Sequence, residues 1–425
     1  MGKLTTAAGL LLAASTALAQ TPYPDDAVYR GLGGKEGIKR IVETFFGIVL
    51  ADPRTKETFD GADIDQSKRR LGEQFCELSG GPCKFTGKYK GRDMRSVHED
   101  LKLNNAHFNA LAEDLQIALE RNGVATSVSN KLVAKLAPMQ RDIVTTGGGM
   151  PSATPDQGKF LATGGVSMVE GSGGGGIVPW AFITGYGTRD SWGANAHYTY
   201  VKTQDYQLDT YGVAVGIADR VELSLAQQDF RGELAPLDQL RIRQDIVGLK
   251  LRVAGDAIYE QDSWLPQIAL GLQYKHNKGV GGLGALGVTS VRQLGARAEH
   301  GVDVYVAATK VLFEHSLLLN GTLRATRANQ MGLMGFGGDR SERRKLMPEL
   351  SAAVLLTRKW VLGAEYRRKP HNLGVDDEKA YKDVFLAWVP NRQLSLTLAY
   401  ADLGTITVFN PKTQRGLYFS AQAGF

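Results

Sequence analysis

Two hydrophobic periods divide this chain. Between residues 34 and 144 apolar side chains return every three or four positions, the spacing of one helix face. After about residue 190 they return every second position, the spacing of one strand face. In the first part, Ile38, Ile41, Val42, Phe45, Phe46 and Val49 share one face of a helix expected over 34–50, which Asp52-Pro53 ends. A second helix is expected over 63–78, stopped by Gly80-Gly81-Pro82. A third, over 104–121, carries Phe108, Leu111, Leu115, Ile117 and Leu119, and Gly123 follows it. A fourth, over 127–144, puts Leu132, Leu136 and Met139 on one face. Between the second and third lies a short amphipathic turn, 91–101, bearing His98.

In the second part, Trp192, Ala194, Ala196, Tyr198 and Tyr200 alternate with Gly193, Asn195, His197 and Thr199. Val247, Leu249, Leu251 and Val253 alternate with Gly248, Lys250 and Arg252. Leu394, Leu396, Leu398 and Tyr400 alternate with Ser395, Thr397 and Ala399. There are about fourteen such segments, with twelve the nearest alternative, each of roughly the ten residues that span a bilayer when tilted. A soluble barrel or sandwich hides its apolar set inside. Here the small and polar set is the repeated alternate one, and the apolar total is too large to fill a small core. The expectation is a small all-α domain, then an up-and-down antiparallel transmembrane β-barrel over 158–425. Tight turns fall near 188–190, 219–220, 313–314, 358–359 and 390–391, and longer loops near 276–291, 328–345, 369–379 and 403–414. With an even strand count both barrel ends lie on the short-turn side. That side is the periplasm in bacterial barrels, so the helical domain is expected there.

Composition refines this picture. Residues 1–19 carry Lys3, an apolar stretch over 8–14 and Ala17-Leu18-Ala19 before Gln20, which reads as a signal peptide. The helical domain then occupies 20–144, and 145–157, rich in Gly, Thr and Pro, reads as a flexible linker. Of the 51 glycines most follow residue 146, and the net charge is a modest +6 with Lys and Arg scattered, so nothing points to nucleic acid. Cys76 and Cys83 are seven residues apart. In an oxidising compartment they could bridge a helix end to the following loop, or remain two buried thiols. Neither stands in a Cys-x-x-Cys-His, so covalent c-type haem attachment has no support.

Residues 27–144 resemble a truncated haemoglobin, a two-over-two globin of the first group. The resemblance rests on Tyr29-Arg30-Gly31-Leu32-Gly33-Gly34, Phe45-Phe46, Ala51-Asp52-Pro53-Arg54, Phe59, Gly80-Gly81-Pro82, Phe85-Thr86-Gly87 and Val97-His98. It implies non-covalent haem b, with His98 as the proximal ligand to iron and Phe45, Phe46, Phe59 and Met94 among the walls. A haem needs one imidazole and an apolar cleft, and Met94, Val97, Leu101 and Leu103 ring His98. His107 is read as a surface residue. The family's oxygen binders place a tyrosine on helix B and a glutamine on helix E. This chain has Phe46 at the first position and Ser67 and Leu71 at the distal positions of the second. Arg70 and Gln74 are the candidates to restore a donor there; Arg70 could equally be a solvated helix charge or a propionate partner.

The second part resembles, more loosely, uncharacterised proteobacterial outer-membrane barrels. Its terminal Phe425 resembles the signature by which such proteins reach the barrel-assembly machinery. The inward set would include Lys250, Arg252, Lys275, Arg324 and Arg367, which favours anions, but also Asp303 and Glu365. Together these imply a periplasmic haem globin held at the outer membrane by lipid-embedded strands. Its ligand would be a diatomic gas, O2 or NO, for sensing, transfer or detoxification. The alternative is a pore or transporter for small solutes, gated by the globin or fed haem by it. No acid–base pair stands beside the site, so a binding protein is favoured over an enzyme. An enzymatic role would be haem-dependent NO dioxygenation or a peroxidase-like reaction.

Overall fold

The computed structural model describes residues 26–84, 93–146, 151–235 and 237–425. The expected signal peptide, the Phe85-Thr86-Gly87 motif and residues 147–150 of the expected linker lie outside them. The helical part contains α1 (Ala27–Gly31), α2 (Gly34–Val49), α3 (Ile64–Leu78), α4 (Met94–His98), α5 (Asn105–Arg121), α6 (Thr126–Leu136) and α7 (Gln140–Ile143). Side-chain caps start three of them. Asp63 accepts from the Gln66 amide at 2.9 Å, Asp93 from Ser96 at 2.8 Å and Asn104 from His107 at 2.9 Å. The helix expected over 127–144 is broken into α6, a 3-10 turn at Ala137–Met139 and α7. Pro138 sits in that turn, lacks an N–H and cannot continue the α-helical ladder.

The apolar stripe of α2, including Ile41, Phe45, Phe46 and Val49, packs with Phe75 of α3, Leu115 and Leu119 of α5 and Leu132 of α6. A buried side chain of this size contributes roughly 1.5–3 kcal/mol. Gly80 and Gly81 end α3 for a steric reason. Gly80 has φ +84°, and a Cβ on Gly81 would lie 2.6 Å from the Tyr29 ring and 2.7 Å from Cys76 Sγ.

The second part begins with a two-stranded ribbon, β1 (Val166–Ser167) and β2 (Gly173–Gly174). Twelve strands follow and close into a barrel. They are β3 (Trp192–Thr203), β4 (Tyr206–Ile217), β5 (Val221–Gly232), β6 (Arg241–Ala254), β7 (Gln267–Gly281) and β8 (His300–Leu312). Then come β9 (Leu317–Thr326), β10 (Lys345–Leu355), β11 (Trp360–Arg367), β12 (Tyr381–Asn391), β13 (Leu394–Gly404) and β14 (Gln414–Gly424). Each pairs antiparallel with its sequence neighbour, and β14 closes onto β3 in the register Ala421↔Tyr198. The count is thus the lower of the two expected. The Gly-rich start of the domain enters the barrel instead of joining its wall, and residues 164–187 are buried throughout.

Alternation sorts each strand into two faces. On β6, Ile242, Gln244, Ile246, Lys250 and Arg252 are buried, while Val247, Leu249, Leu251 and Val253 are exposed. The outward set continues around the wall with Leu223, Leu225, Leu270, Leu272, Leu350, Val384 and Leu398, a belt of exposed apolar side chains. Inside, the expected cations are present and compensated. Lys250 meets Glu222, Arg252 meets Asp219 and Asp256, Lys275 meets Asp303 and Glu170, Arg324 meets Glu349, and Arg367 meets Glu170. A free basic lumen is therefore absent among the described residues.

The buried segment is fastened to the wall. The Gly173 N–H donates to Glu222 at 2.9 Å, Ile177 N–H to Glu365 at 2.8 Å and Trp180 Nε1–H to Ser351 at 2.9 Å. A Cβ on Gly175 would lie 2.0 Å from Glu365 Oε1, so only glycine lets the backbone pass there. Connections 218–220, 313–316, 356–359 and 392–393 are short and share one barrel end with both barrel termini. The long connections 282–299, 327–344, 368–380 and 405–413 lie at the other end. Connection 255–266 is long but lies at the short-turn end, where it reaches the helical part.

Candidate functional site

His98 ends α4, whose start is fixed by the Asp93 cap. Its Nδ1 lies 2.7 Å from the Met94 carbonyl. A carbonyl only accepts, so Nδ1 carries the proton and the lone pair is on Nε2. Burial holds the ring's pKa below the ordinary 6.5, against the opposing pull of the Met94 carbonyl. A neutral, oriented imidazole with Nε2 unprotonated is what a metal ligand must be, and the carbonyl is the usual kind of outer partner that fixes it.

Of the other expected residues, Phe45, Phe46, Phe59 and Leu71 belong to the apolar core of the helical part or pack against it. Phe46 makes edge contacts with Phe45 at 5.5 Å and with Phe59 at 5.8 Å between ring centroids. Phe59, Ile64, Leu71 and Leu111 pack against that core but stay half-buried, as do Met94 and Val97 on α4. Ser67, Arg70, Leu71 and Gln74 share one side of α3 by their spacing. The Ser67 hydroxyl donates to the Asp63 carbonyl at 2.8 Å. Arg70 pairs with Glu73 at 3.0 Å on the helix surface. Gln74 is buried, with its amide nitrogen 3.4 Å from Met139 Sδ. His107 forms a reciprocal capping box with Asn104 and so has a structural task. The residue set therefore suits a haem: one neutral imidazole and aromatic and aliphatic side chains to wall it.

Cys76 and Cys83 form a disulfide that clamps the end of α3 to the chain leading towards α4. Sequence reasoning left that pairing open. It also missed a charged cluster at the junction with the barrel. Glu113 on α5 meets Arg54 at 2.7 Å, Arg358 at 3.2 Å and Arg392 at 2.8 Å. Arg358 and Arg392 belong to the short barrel turns. Around them Tyr259 donates to Asn109 at 2.7 Å, Asn130 to Ser316 at 3.0 Å and Asn105 to Asp190 at 2.9 Å. Burial acts to raise the Glu113 pKa, but Arg392 and then Arg54 hold it below the usual carboxylate value. Burial, then the charge of Asp52, pushes neighbouring Asp114 up to about 7. The Asp52-Pro53-Arg54 motif was the only signal in the sequence for this cluster.

The model of the bacterial-like globin family matches residues 27–145, and that of the family described as proteins of unknown function (DUF3034) matches residues 163–422. The chain is 32% identical to a group 1 truncated haemoglobin of Tetrahymena pyriformis, over 28% of this chain and 93% of that protein. The identity to the group 1 truncated haemoglobin of Synechocystis sp. is 37%, over 25% of this chain and 86% of that protein. The chain belongs to the DUF3034 family, and its helical domain is a group 1 truncated haemoglobin. A solved KdgM porin is also similar, at 9% identity and a TM-score of 0.34, over 54% of this chain and 99% of that one. For the haemoglobin domain, the family carries haem with iron. His98 is the histidine of its Val97-His98 pair, and the apolar set of Phe45, Phe46, Phe59 and Leu71 stands in the same domain.

Proposed function

We propose that this protein is an outer-membrane barrel whose truncated haemoglobin domain lies on the periplasmic side and binds a diatomic gas, O2 or NO. The cofactor is non-covalent haem b with His98 as the proximal ligand. The observation that carries this reading is His98 itself, neutral and fixed through Nδ1 to Met94, inside the domain of a haemoglobin family. When bound, haem supplies an iron with a coordination position for a small gas. The chain's own residues do the rest. His98 Nε2 offers its lone pair, and Phe46, Phe59 and Leu71 exclude water. Both cysteines are consumed in one disulfide, so no thiol remains for a thioether bond to the haem.

The distal donors are few. Phe46 cannot donate, Ser67 is committed to Asp63, and Arg70 to Glu73. Gln74 retains an amide with only a thioether as partner, a weak acceptor. Weak holding of O2, suited to transfer or sensing rather than storage, follows from this set.

Three features support the location. The exposed apolar belt with a polar, ion-paired interior is the pattern of a membrane barrel. The disulfide suits an oxidising compartment. The haemoglobin domain sits at the short-turn end, which faces the periplasm in bacterial barrels. The pore reading has no such support, since the segment after residue 158 lies across the lumen and the cations Lys275 and Arg367 beside it are paired with its Glu170. Cell fractionation tests the proposal. The chain and its haem absorbance are expected together in the outer membrane, with the haemoglobin domain cut by added protease only after that membrane is permeabilised. A chain released to the soluble fraction, or a domain cut on intact cells, would refute it.

A further inference from the structure

We propose that the long-loop half of the barrel lumen is a binding site for a small, neutral, apolar molecule that enters from the side opposite the haemoglobin domain. The lumen there holds a cavity of about 320 Å3, at the lower end of the range for small-molecule pockets. Its walls include Val201, Leu208, Phe230, Leu240 and Ile242 from the strand ends and loop bases. Among the described residues no ionised side chain lines it. That is a departure from the rest of the interior, where the inward positions below form ion pairs such as Lys250–Glu222 and Lys275–Asp303. On β6 the change occurs within one face: Lys250 and Arg252 near the short-turn end give way to Ile246 and Ile242 near the long loops.

The buried segment provides the floor and divides the two environments. Val169 and Ile177 line the cavity, while Glu170 between them pairs with Lys275 and Arg367. The segment thus presents apolar side chains upward and keeps its carboxylate in the ionic layer. At the opposite end, Leu286 and Phe409 line the same cavity and are 72% and 69% exposed, on loops 282–299 and 405–413. They form an apolar threshold to the outside. The loop between β9 and β10 closes one side with Met331, Leu333 and Met334. Its Gln330 and Met331 both adopt left-handed backbone, φ +45° and +60°. Strained non-glycine residues of this kind cluster at ligand clamps.

Of the few polar groups around the cavity, Gln330 and Tyr381 are engaged in a side-chain network, while the buried Tyr418 and Thr407 hydroxyls have no protein partner and are left to orient a ligand by a single hydrogen bond. Tyr381 and Lys369 both donate to Gln330 Oε1 at 2.6 Å, and Gln330 Nε2 donates to Asp376 at 2.6 Å. Water in such a space would find few partners, and an empty space forfeits the dispersion contacts its walls would otherwise make. An uncharged aromatic or branched aliphatic compound of one or two rings satisfies the volume, the walls and the missing charge together.

The test uses the full chain in lipid nanodiscs, with 1-N-phenylnaphthylamine fluorescence as the probe and empty nanodiscs as the baseline. Saturable binding at one site per chain is expected, displaced by naphthalene and not by 1-naphthalenesulfonate. Met334→Trp fills the cavity from a loop and Leu240→Arg charges its wall. Each should weaken the probe at least tenfold while the barrel keeps its heat-modifiable migration on gels. If one variant does not fold, the other decides. Binding no greater than that of empty nanodiscs, or unchanged affinity in a folded variant, overturns the proposal.

Discussion

At His98, burial and one backbone carbonyl set the state of a single ring. The histidine was legible because its neighbours Met94 and Val97 and the aromatic pair Phe45-Phe46 gave it a context. Its hydrogen bond to Met94 follows from the i to i−4 spacing on α4. What lies opposite was less legible. Arg70 follows Lys68 and Arg69 in sequence, and only the structure shows that Glu73 takes it. Replacing Phe46 by Tyr supplies a donor that the chain lacks. A neutral hydrogen bond worth about 1 kcal/mol should slow O2 dissociation roughly fivefold in stopped-flow measurements; an unchanged rate would place Phe46 away from the bound gas. Asp114 makes a prediction in pH. Its folded pKa is about 7 against the ordinary 3.8 of an aspartate, so its protonated form favours the fold. The stability it contributes is full at pH below about 4 and is lost as pH rises through about 7. Asp114→Asn should therefore raise the melting temperature most at pH 8, less at pH 5 and hardly at all near pH 3.5.

At the scale of elements, periodicity located α2, α3 and α5 and the strand faces, because those patterns are local. It extended the last helix through Pro138, where the missing N–H divides it. It put the wall at about fourteen strands with twelve as the alternative, and the wall has twelve. The segment carrying β1 and β2 goes inside for reasons that are not local: Glu222 of β5 and Glu365 and Arg367 of β11, two distant strands, wait to receive it. Two predictions belong here. The Cys76–Cys83 bridge closes a short loop at the end of α3, a constraint worth roughly 2–3 kcal/mol. Cys76→Ser with Cys83→Ser should lower the haemoglobin domain's melting temperature by several degrees, and reductant should do the same to the native chain but not to the variant. Glu170→Lys replaces the partner of Lys275, Arg367 and Arg324 with a fourth cation. In planar bilayers the native barrel should stay near baseline and this variant should show discrete openings. An equally silent variant would mean that Glu170 does not hold the segment.

For the whole molecule, the sequence indicated two domains and the barrel end on which the first would lie, from the even strand count and the turn lengths. It did not indicate that the first is seated rather than merely tethered. Glu113 draws arginines from two different barrel turns, contacts that no sequence period encodes. Arg358→Glu with Arg392→Glu puts like charges against Glu113. Spin-label distances between α5 and β9 should then broaden from one narrow population to many, with the haemoglobin domain still folded. The central claim is that His98 holds haem in this chain. Absorption spectra of the full chain purified with haem supplied test it most directly, comparing native, His98→Ala and His107→Ala proteins. The account predicts one haem per chain with a Soret band in the native and His107→Ala forms, and loss or strong weakening of it in His98→Ala. Native-like haem stoichiometry and spectrum in a folded His98→Ala protein would contradict it.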